Sequence, residues 1–333
     1  MNIAIVGATG LAGRELLRLI RLRSFHYDKM RLFASDRSAG TFIECDGKNF
    51  DVEGIGPSMF DGINIAFFAV DAKLARELAP VARAAGTLVI DKSSAFRMDP
   101  NVPLIIPEIN GDMIDTRGGI IASPNCSTTV MLMGLWPLHW ELGLTRIIVS
   151  TYQSMSGGGA GLLEKFHDQV RNQVAASIRG VDLPNTLFDN VIPVIDSIDA
   201  DGWTGEERKM VDETRKILGL PYLPISATCV RVPVSRGHSM SVNAEFGSWG
   251  SVDVAEARRL VSNFGNGIRL MDDSSIGYFP MPSNTVRQEY CGVGRIRKDP
   301  TCANGLVLWI SGDNLWKGAA LNALQIAERI IHL

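Results

Sequence analysis

One cysteine of this chain stands where a thiol becomes a nucleophile. Cys126 lies in Ser123-Pro124-Asn125-Cys126-Ser127-Thr128-Thr129, after an apolar strand-like run and before a helical one. A thiol at a helix N-terminus feels the positive end of the helix dipole, which lowers its pKa from about 8.5 toward thiolate. A nucleophilic thiol also needs a group to carry protons, and the histidines are at 26, 139, 167, 238 and 332. His238 is the best placed, in Arg231-Val232-Pro233-Val234-Ser235-Arg236-Gly237-His238-Ser239, a Pro- and Gly-bearing turn between two strand-like runs. His139 and His167 fall inside helical stretches, where a surface or internally satisfied histidine is the commoner case.

A second constellation opens the chain. Gly7-Ala8-Thr9-Gly10-Leu11-Ala12-Gly13 follows a strand and begins a helix, so backbone N–H groups and the helix dipole can hold a dinucleotide pyrophosphate. The next strand ends in Ala34-Ser35-Asp36-Arg37-Ser38-Ala39-Gly40. An acidic residue there accepts from the ribose 2′-OH of NAD, whereas an arginine with hydroxyls suits a 2′-phosphate. Asp36 and Arg37 pull in opposite directions. Ser35, Arg37 and Ser38 together offer one cation and two hydroxyls, which favours NADP over NAD.

Elements must position these groups. Asn2 to Val6, Arg31 to Ala34, Ile63 to Val70, Thr87 to Ile90 and Ile120 to Ser123 read as buried strands, with helices after Gly10 and over Lys73 to Ala85. Such alternation predicts a parallel doubly wound sheet, a Rossmann α/β domain. From residue 126 the pattern changes to a helix, Thr128 to Leu142, and longer strands, Thr145 to Thr151, Ile225 to Val234, Ser239 to Phe246 and Gly305 to Ser311. These predict an α+β domain on a mixed or antiparallel sheet. Ala160 to Ile178, Gly205 to Leu218 and the amphipathic Lys317 to Ile331 read as helices, the last one able to return to the first domain.

Composition sets the outer bounds. A chain of 333 residues exceeds the roughly 250 to 300 at which one hydrophobic core stops growing, so two domains are expected. With 46% hydrophobic and 21% charged residues it is neither disordered nor fibrous. Lys plus Arg number 33 against 36 Asp plus Glu, without the basic excess of a nucleic-acid or membrane-surface binder, so neither is an expected partner. No apolar run approaches the ~18 residues of a membrane span. Met1 leads straight into an apolar strand, with no room for a secretory leader, so the expectation is a cytoplasmic protein. Cys45, Cys126, Cys229, Cys291 and Cys302 form no C-x-x-C pair or Cys/His cluster, which argues against a disulfide scaffold and against zinc; no metal is expected.

Eight segments in order, GATGLAG, ASDRSAG, SSAFRM, SPNCST, TYQSMSGGG, EERKMVDETRKIL, CVRVPVSRGHS and DNLWKGAALNALQIAE, resemble the aspartate-β-semialdehyde dehydrogenases over essentially the whole chain. The resemblance implies an NADP-binding domain at residues 1–125, completed by a C-terminal helix at 315–333, and a catalytic and dimerisation domain at 126–314. It implies Cys126 as the acyl-thioester nucleophile, His238 as general acid/base and Gln153 as the residue that orients the substrate. Arg231 would grip the substrate α-carboxylate, Glu207 its α-amino group, and Asn125 would help recognise substrate and phosphate. Arg97 and Lys209 resemble the phosphate-binding cations. Ser156, Gly157 and Asn314 resemble residues at the nicotinamide end of the cofactor site, beyond Gly7, Thr9, Gly10, Leu11, Ala12, Gly13, Ser35, Arg37 and Ser38. Ser123 stands where the family often has Asn, and Gly158-Gly159 where Gly-Ala is frequent; neither change touches a charge or a nucleophile.

The implied reaction is reversible, NADP-dependent reductive dephosphorylation of L-4-aspartyl phosphate to L-aspartate 4-semialdehyde and phosphate. It belongs to the biosynthesis of lysine, diaminopimelate, threonine, methionine and isoleucine, and is implied to run in a homodimer, with association into tetramers left open. Three alternatives stand beside it. They are an N-acetylglutamyl phosphate reductase, an acyl-CoA-reducing relative such as a malonyl-CoA reductase, and a catalytically silent paralogue acting as a binding protein.

Overall fold

The apolar run after Met1 becomes the central strand of a sheet. The computed structural model describes residues 1–45, 47–176, 186–247 and 252–332, and its contacts divide the chain into two units. The first comprises Met1–Asn125, Lys216–Leu218 and Gly318–Leu333. Along it run β1 (Asn2–Val6), α1 (Leu11–Leu22), β2 (Lys29–Ala34), β3 (Phe42–Cys45), β4 (Lys48–Gly54), β5 (Ile65–Phe68), α2 (Ala72–Ala84), β6 (Leu88–Asp91), the short α3 (Pro107–Asn110) and β7 (Ile120–Ala122).

The strand order is β3-β4-β2-β1-β5-β6-β7. All neighbours pair in parallel except β3 with β4. Ile3, Ala4, Ile5, Val6 and every residue of β5 are buried, as a parallel sheet covered on both faces requires. The expected strands appear with ends moved by a residue or two. The β3–β4 hairpin was not expected: its charged residues face water and Phe42 is exposed, so the run reads as polar. At the far end of the chain Trp316–Ala320 forms a π-helical turn that leads into α9 (Leu321–Ile331). Arg23, just past the end of α1, clasps Glu328 with two bonds of 2.7 and 2.8 Å. Asn322 Nδ2 donates to the Ser123 hydroxyl at 3.0 Å and to the Ile105 carbonyl at 2.9 Å, tying α9 to the segment that leads into Cys126.

The second unit comprises Cys126–Arg215 and Gly219–Lys317. It begins with α4 (Cys126–Leu142), continues with β8 (Leu144–Gln153), α5 (Ala160–Ala176) and α6 (Gly205–Leu218), and then β9 (Ile225–Arg231) and β10 (His238–Phe246). It closes with α7 (Val254–Phe264), β11 (Ile268–Leu270), the short α8 (Pro282–Thr285), β12 (Cys291–Lys298) and β13 (Gly305–Gly312). The sheet is mixed, in the order β11-β12-β13-β10-β8-β9. α4 is apolar around its whole circumference because it lies buried against this sheet and α7. The expected helix to Ile178 is seen to Ala176; Ser177 and Ile178 lie outside the described residues. No helix among the described residues is long and apolar enough to cross a membrane.

Candidate active site

Three adjacent strand ends meet at one edge of the mixed sheet. β8 and β9 run parallel and finish in register, Gln153 beside Arg231. β10 is antiparallel to β8, with Ser239 opposite Tyr152, so His238 begins its strand where Gln153 ends its own. Cys126 opens α4, and its Sγ lies 3.3 Å from His238 Nε2. The nucleophile and proton carrier expected from sequence are therefore in contact, although 112 residues separate them.

The surroundings of the pair are polar and closed. The His238 ring is fully buried. On its other side Nδ1 accepts from the Ser154 backbone N–H at 3.1 Å and lies 3.2 Å from Ser154 Oγ. Burial and the nearby Arg231 cation push the imidazole down to about 3, so the uncharged ring is favoured. Arg231 is itself 8% exposed and donates from Nη1 to the Ser154 carbonyl at 2.8 Å. Among the described residues no carboxylate pairs with it and nothing holds its Nε or Nη2 edge. Burial lowers its pKa, while Cys126 and Glu206 act in the opposite sense. A buried guanidinium without a carboxylate is costly unless an anion completes it. Gly157 sits against this pair: a methyl there would come within 2.9 Å of Arg231 Nη1 and 3.1 Å of His238 Cε1. Cys229, below the site, is a buried thiol whose pKa is pushed far up by burial and by Glu206, so it is no competing nucleophile.

Gln153 donates from Nε2 to Glu206 Oε1 at 3.2 Å; Ser127 Oγ reaches the same oxygen at 3.4 Å, and Lys209 Nζ lies 3.5 Å from Glu206 Oε2. Lys209 also holds Asp196 at 2.7 Å. In this unit Asn314 is buried, its Oδ1 accepting from Gly237 N at 2.9 Å and from Ser156 Oγ at 3.2 Å. In the first unit Asn125 is buried and Arg97 donates to the carbonyls of Ser123 at 3.0 Å and Lys92 at 2.7 Å.

The first unit's glycine loop fits a dinucleotide. Gly7 has φ +87°, and a Cβ on it would meet the Ala69 carbonyl oxygen at 2.4 Å. One on Gly13 would meet the Gly7 carbonyl oxygen at 2.3 Å. Gly10 caps α1 without a side-chain bond, and the first turn, Leu11, Ala12 and Gly13, carries no acidic residue, which leaves the helix N-terminus suited to an anion. The Thr9 carbonyl accepts from Arg14 Nε at 3.0 Å. Ser35 and Ser38 belong to one turn, closed by Ser38 N donating to the Ser35 carbonyl at 2.8 Å, and Arg37 is exposed at its tip.

Residues 2–117 match the semialdehyde dehydrogenase NAD binding domain, and residues 135–317 the semialdehyde dehydrogenase dimerisation domain. The aspartate-semialdehyde dehydrogenase of Bacillus subtilis is 40% identical over 99% of this chain and 97% of its own. That of Synechocystis is 42% identical over the same shares. The chain belongs to the aspartate-semialdehyde dehydrogenase family. Among solved members, aspartate semialdehyde dehydrogenase II from Vibrio cholerae superposes with a TM-score of 0.93 at 37% identity, covering 99% of this chain and 98% of that one. The same enzyme complexed with ASA gives 0.92.

Within this family frame one expected residue needs correction. Glu207 does not face the pair: its Oε2 accepts from Thr204 N at 2.8 Å and its Oε1 from Cys229 N at 3.0 Å, so both oxygens are spent on backbone. Thr204 Oγ1 accepts from Glu207 N at 3.3 Å, which completes a helix capping box. The carboxylate toward Gln153 is the neighbouring Glu206. Two spacings in the sequence carried this signal: Thr204-x-x-Glu207 is the capping pattern, and Glu206 lies one turn from Lys209 on the same helix face. Glu207→Ala is expected to lower stability by about 2 kcal/mol or more, because two buried amides lose their acceptor. Glu206→Gln is expected to leave the melting temperature nearly unchanged and to raise KM for the substrate. Thermal melts and initial rates on the two variants check the assignment.

Proposed function

We propose that this protein is an NADP-dependent aspartate-semialdehyde dehydrogenase of amino-acid biosynthesis, interconverting L-4-aspartyl phosphate and L-aspartate 4-semialdehyde plus phosphate through a thioester on Cys126. The observation that carries it is the contact of Cys126 Sγ with His238 Nε2 at 3.3 Å beside the buried Arg231. Cys126 adds to the carbonyl carbon, forming the C–S bond, and His238 exchanges a proton with the carbonyl oxygen at Nε2. Gly7, Thr9, Gly10, Leu11, Ala12 and Gly13 would hold a nicotinamide dinucleotide, with Ser156, Gly157 and Asn314 toward its nicotinamide, and the chemistry it would supply is acceptance or donation of the hydride. Arg231 offers its Nε and Nη2 edge to the α-carboxylate as a fork. Gln153 orients the acyl group, Asn125 assists, and Glu206 takes the α-amino role first given to Glu207. The uncharged amide of Gln153 can hold a carbonyl without quenching a thiolate.

Arg97 and Lys209 are the proposed phosphate cations, able to offset most of a dianion. Lys209 holds Asp196 at present, so phosphate would replace that exposed partner. The test is dinucleotide reduction by the semialdehyde with and without phosphate. Turnover should require phosphate, and Lys209→Ala and Arg97→Ala should each raise KM for phosphate more than KM for semialdehyde. Phosphate-independent turnover, or loss of semialdehyde affinity alone, would sink the assignment.

The NADP preference rests on Ser35, Arg37 and Ser38. Arg37→Ala is expected to weaken NADP by roughly 1.5 to 3 kcal/mol while NAD changes little, since only the 2′-phosphate brings charge. The ratio of kcat/KM for the two cofactors measures it. A homodimer is proposed through the outward face of the mixed sheet, where Ile148 and Tyr152 are exposed and the Tyr152 ring lies 5.2 Å from Trp309. A cytoplasmic setting completes the reading.

A further inference from the structure

The fully buried His238 ring has one neighbour that the chemistry above leaves unused. Ser154 is also fully buried and turns two groups of opposite sense toward Nδ1: its backbone N–H at 3.1 Å and its hydroxyl oxygen at 3.2 Å. The amide can only donate, so it holds a ring whose Nδ1 is bare. The hydroxyl can accept, and its own proton already has a destination, since Ser154 Oγ lies 3.3 Å from Asn314 Oδ1. Asn314 is fixed in turn by Gly237 N at 2.9 Å and by its own Nδ2 donating to Ser156 Oγ at 3.0 Å.

We propose that Ser154 is the orienting member of a Cys126–His238–Ser154 relay, its hydroxyl accepting a hydrogen bond from Nδ1–H whenever His238 is protonated and donating its own to Asn314 Oδ1. Ser154 is thus a positioning residue that acts through the imidazole. A nucleophile, a base and a third group that orients the base recur wherever a thiol or hydroxyl must be activated. In the relay the ring gains the proton that the thiol loses: the S–H bond breaks, an N–H bond forms, and the product is a thiolate beside an imidazolium with N–H groups on both sides. Nε2–H then faces sulfur and Nδ1–H faces Ser154 Oγ. When the carbonyl adduct forms on Cys126, the Nε2 proton passes to its oxygen; it would return to Nε2 as hydride passes from carbon to a bound oxidised nicotinamide dinucleotide and the C=O bond is made.

The strongest influences oppose this charged ring. Burial disfavours it, Arg231 from β9 repels it, and the Ser154 amide presents a proton to Nδ1. The groups facing it are Cys126 from α4, Ser154 and Gly157 after β8, Arg231 from β9, and Gly237 from the turn before β10. Among these, the Cys126 thiolate, the Ser154 hydroxyl and a hydrogen bond to the Gly237 backbone favour the imidazolium. Losing the hydroxyl should therefore make the thiol harder to ionise.

This rests on Cys126 being the nucleophile, and the test separates the two ideas. The rate of Cys126 alkylation by iodoacetamide is measured against pH in the cofactor-free enzyme, for wild type, Ser154→Ala and Ser154→Thr. The relay expects the inflection to move to higher pH in Ser154→Ala, with alkylation near neutrality slowed about tenfold, and Ser154→Thr, which keeps the hydroxyl, to stay near wild type. It expects kcat to fall in Ser154→Ala with KM for semialdehyde little changed. An alkylation profile in Ser154→Ala that coincides with wild type would overturn the relay, while a Cys126 that is unreactive in wild type would overturn the reading beneath it. Should Ser154→Ala not fold, ¹⁵N spectra of the His238 ring in wild type decide. Protonation at Nδ1 in the pH range where Cys126 reacts supports the relay, and an Nδ1 bare throughout that range contradicts it.

Discussion

Cys126→Ser is expected to abolish turnover, by about four orders of magnitude or more, while leaving dinucleotide binding nearly intact. Thiols as a class ionise within reach of neutral pH and alcohols do not, so the substituted side chain presents an un-ionised, weak nucleophile at the same place. The change removes little packing, since Cys126 is only partly buried at the first residue of α4. No other thiol can take over: Cys229, within electrostatic reach of the site, is held protonated by its burial. Steady-state rates together with dinucleotide titration measure both halves of the expectation, and residual activity above a few per cent would end the thioester mechanism.

Arg231→Lys should cost roughly 2 kcal/mol or more in kcat/KM, about thirtyfold, although the charge is retained. Arg231 spends Nη1 on the Ser154 carbonyl at 2.8 Å and keeps Nε and Nη2 for a second partner. A lysine in this buried position cannot serve both. It would either hold the carbonyl or meet the substrate carboxylate as a point charge. Because Arg231 also anchors the segment beside His238, a small loss of thermal stability should accompany the kinetic one. Kinetics with aspartate semialdehyde near those of the unaltered enzyme would move the carboxylate site elsewhere.

What could be read from sequence depended on how local the determining physics was. The glycine loop was legible because strand, turn and helix follow one another within a dozen residues. Cys126 was legible because its helix start lies beside it. β12 was not: Cys291–Lys298 mixes glycines with charges, and its strand state comes from pairing with β11 and β13. Glu206 and Glu207 were confused because neighbours on a helix point about 100° apart, and only the Thr204 cap and the Cys229 amide reveal which one turns inward to backbone. The contact of Cys126 with His238 needed the α4 and β10 ends to meet, and the opposed donor and acceptor on His238 Nδ1 belong to atoms that no residue type announces.

The thioester is the centre of the account, and it can be caught directly. The enzyme is mixed with aspartate semialdehyde and oxidised dinucleotide in the absence of phosphate, quenched in acid within one turnover, digested and examined by peptide mass spectrometry. An aspartyl adduct is expected on the peptide containing Cys126, released by hydroxylamine and absent when phosphate is present to discharge it. Dinucleotide reduction without any adduct on Cys126, or with the adduct on another cysteine, would contradict it.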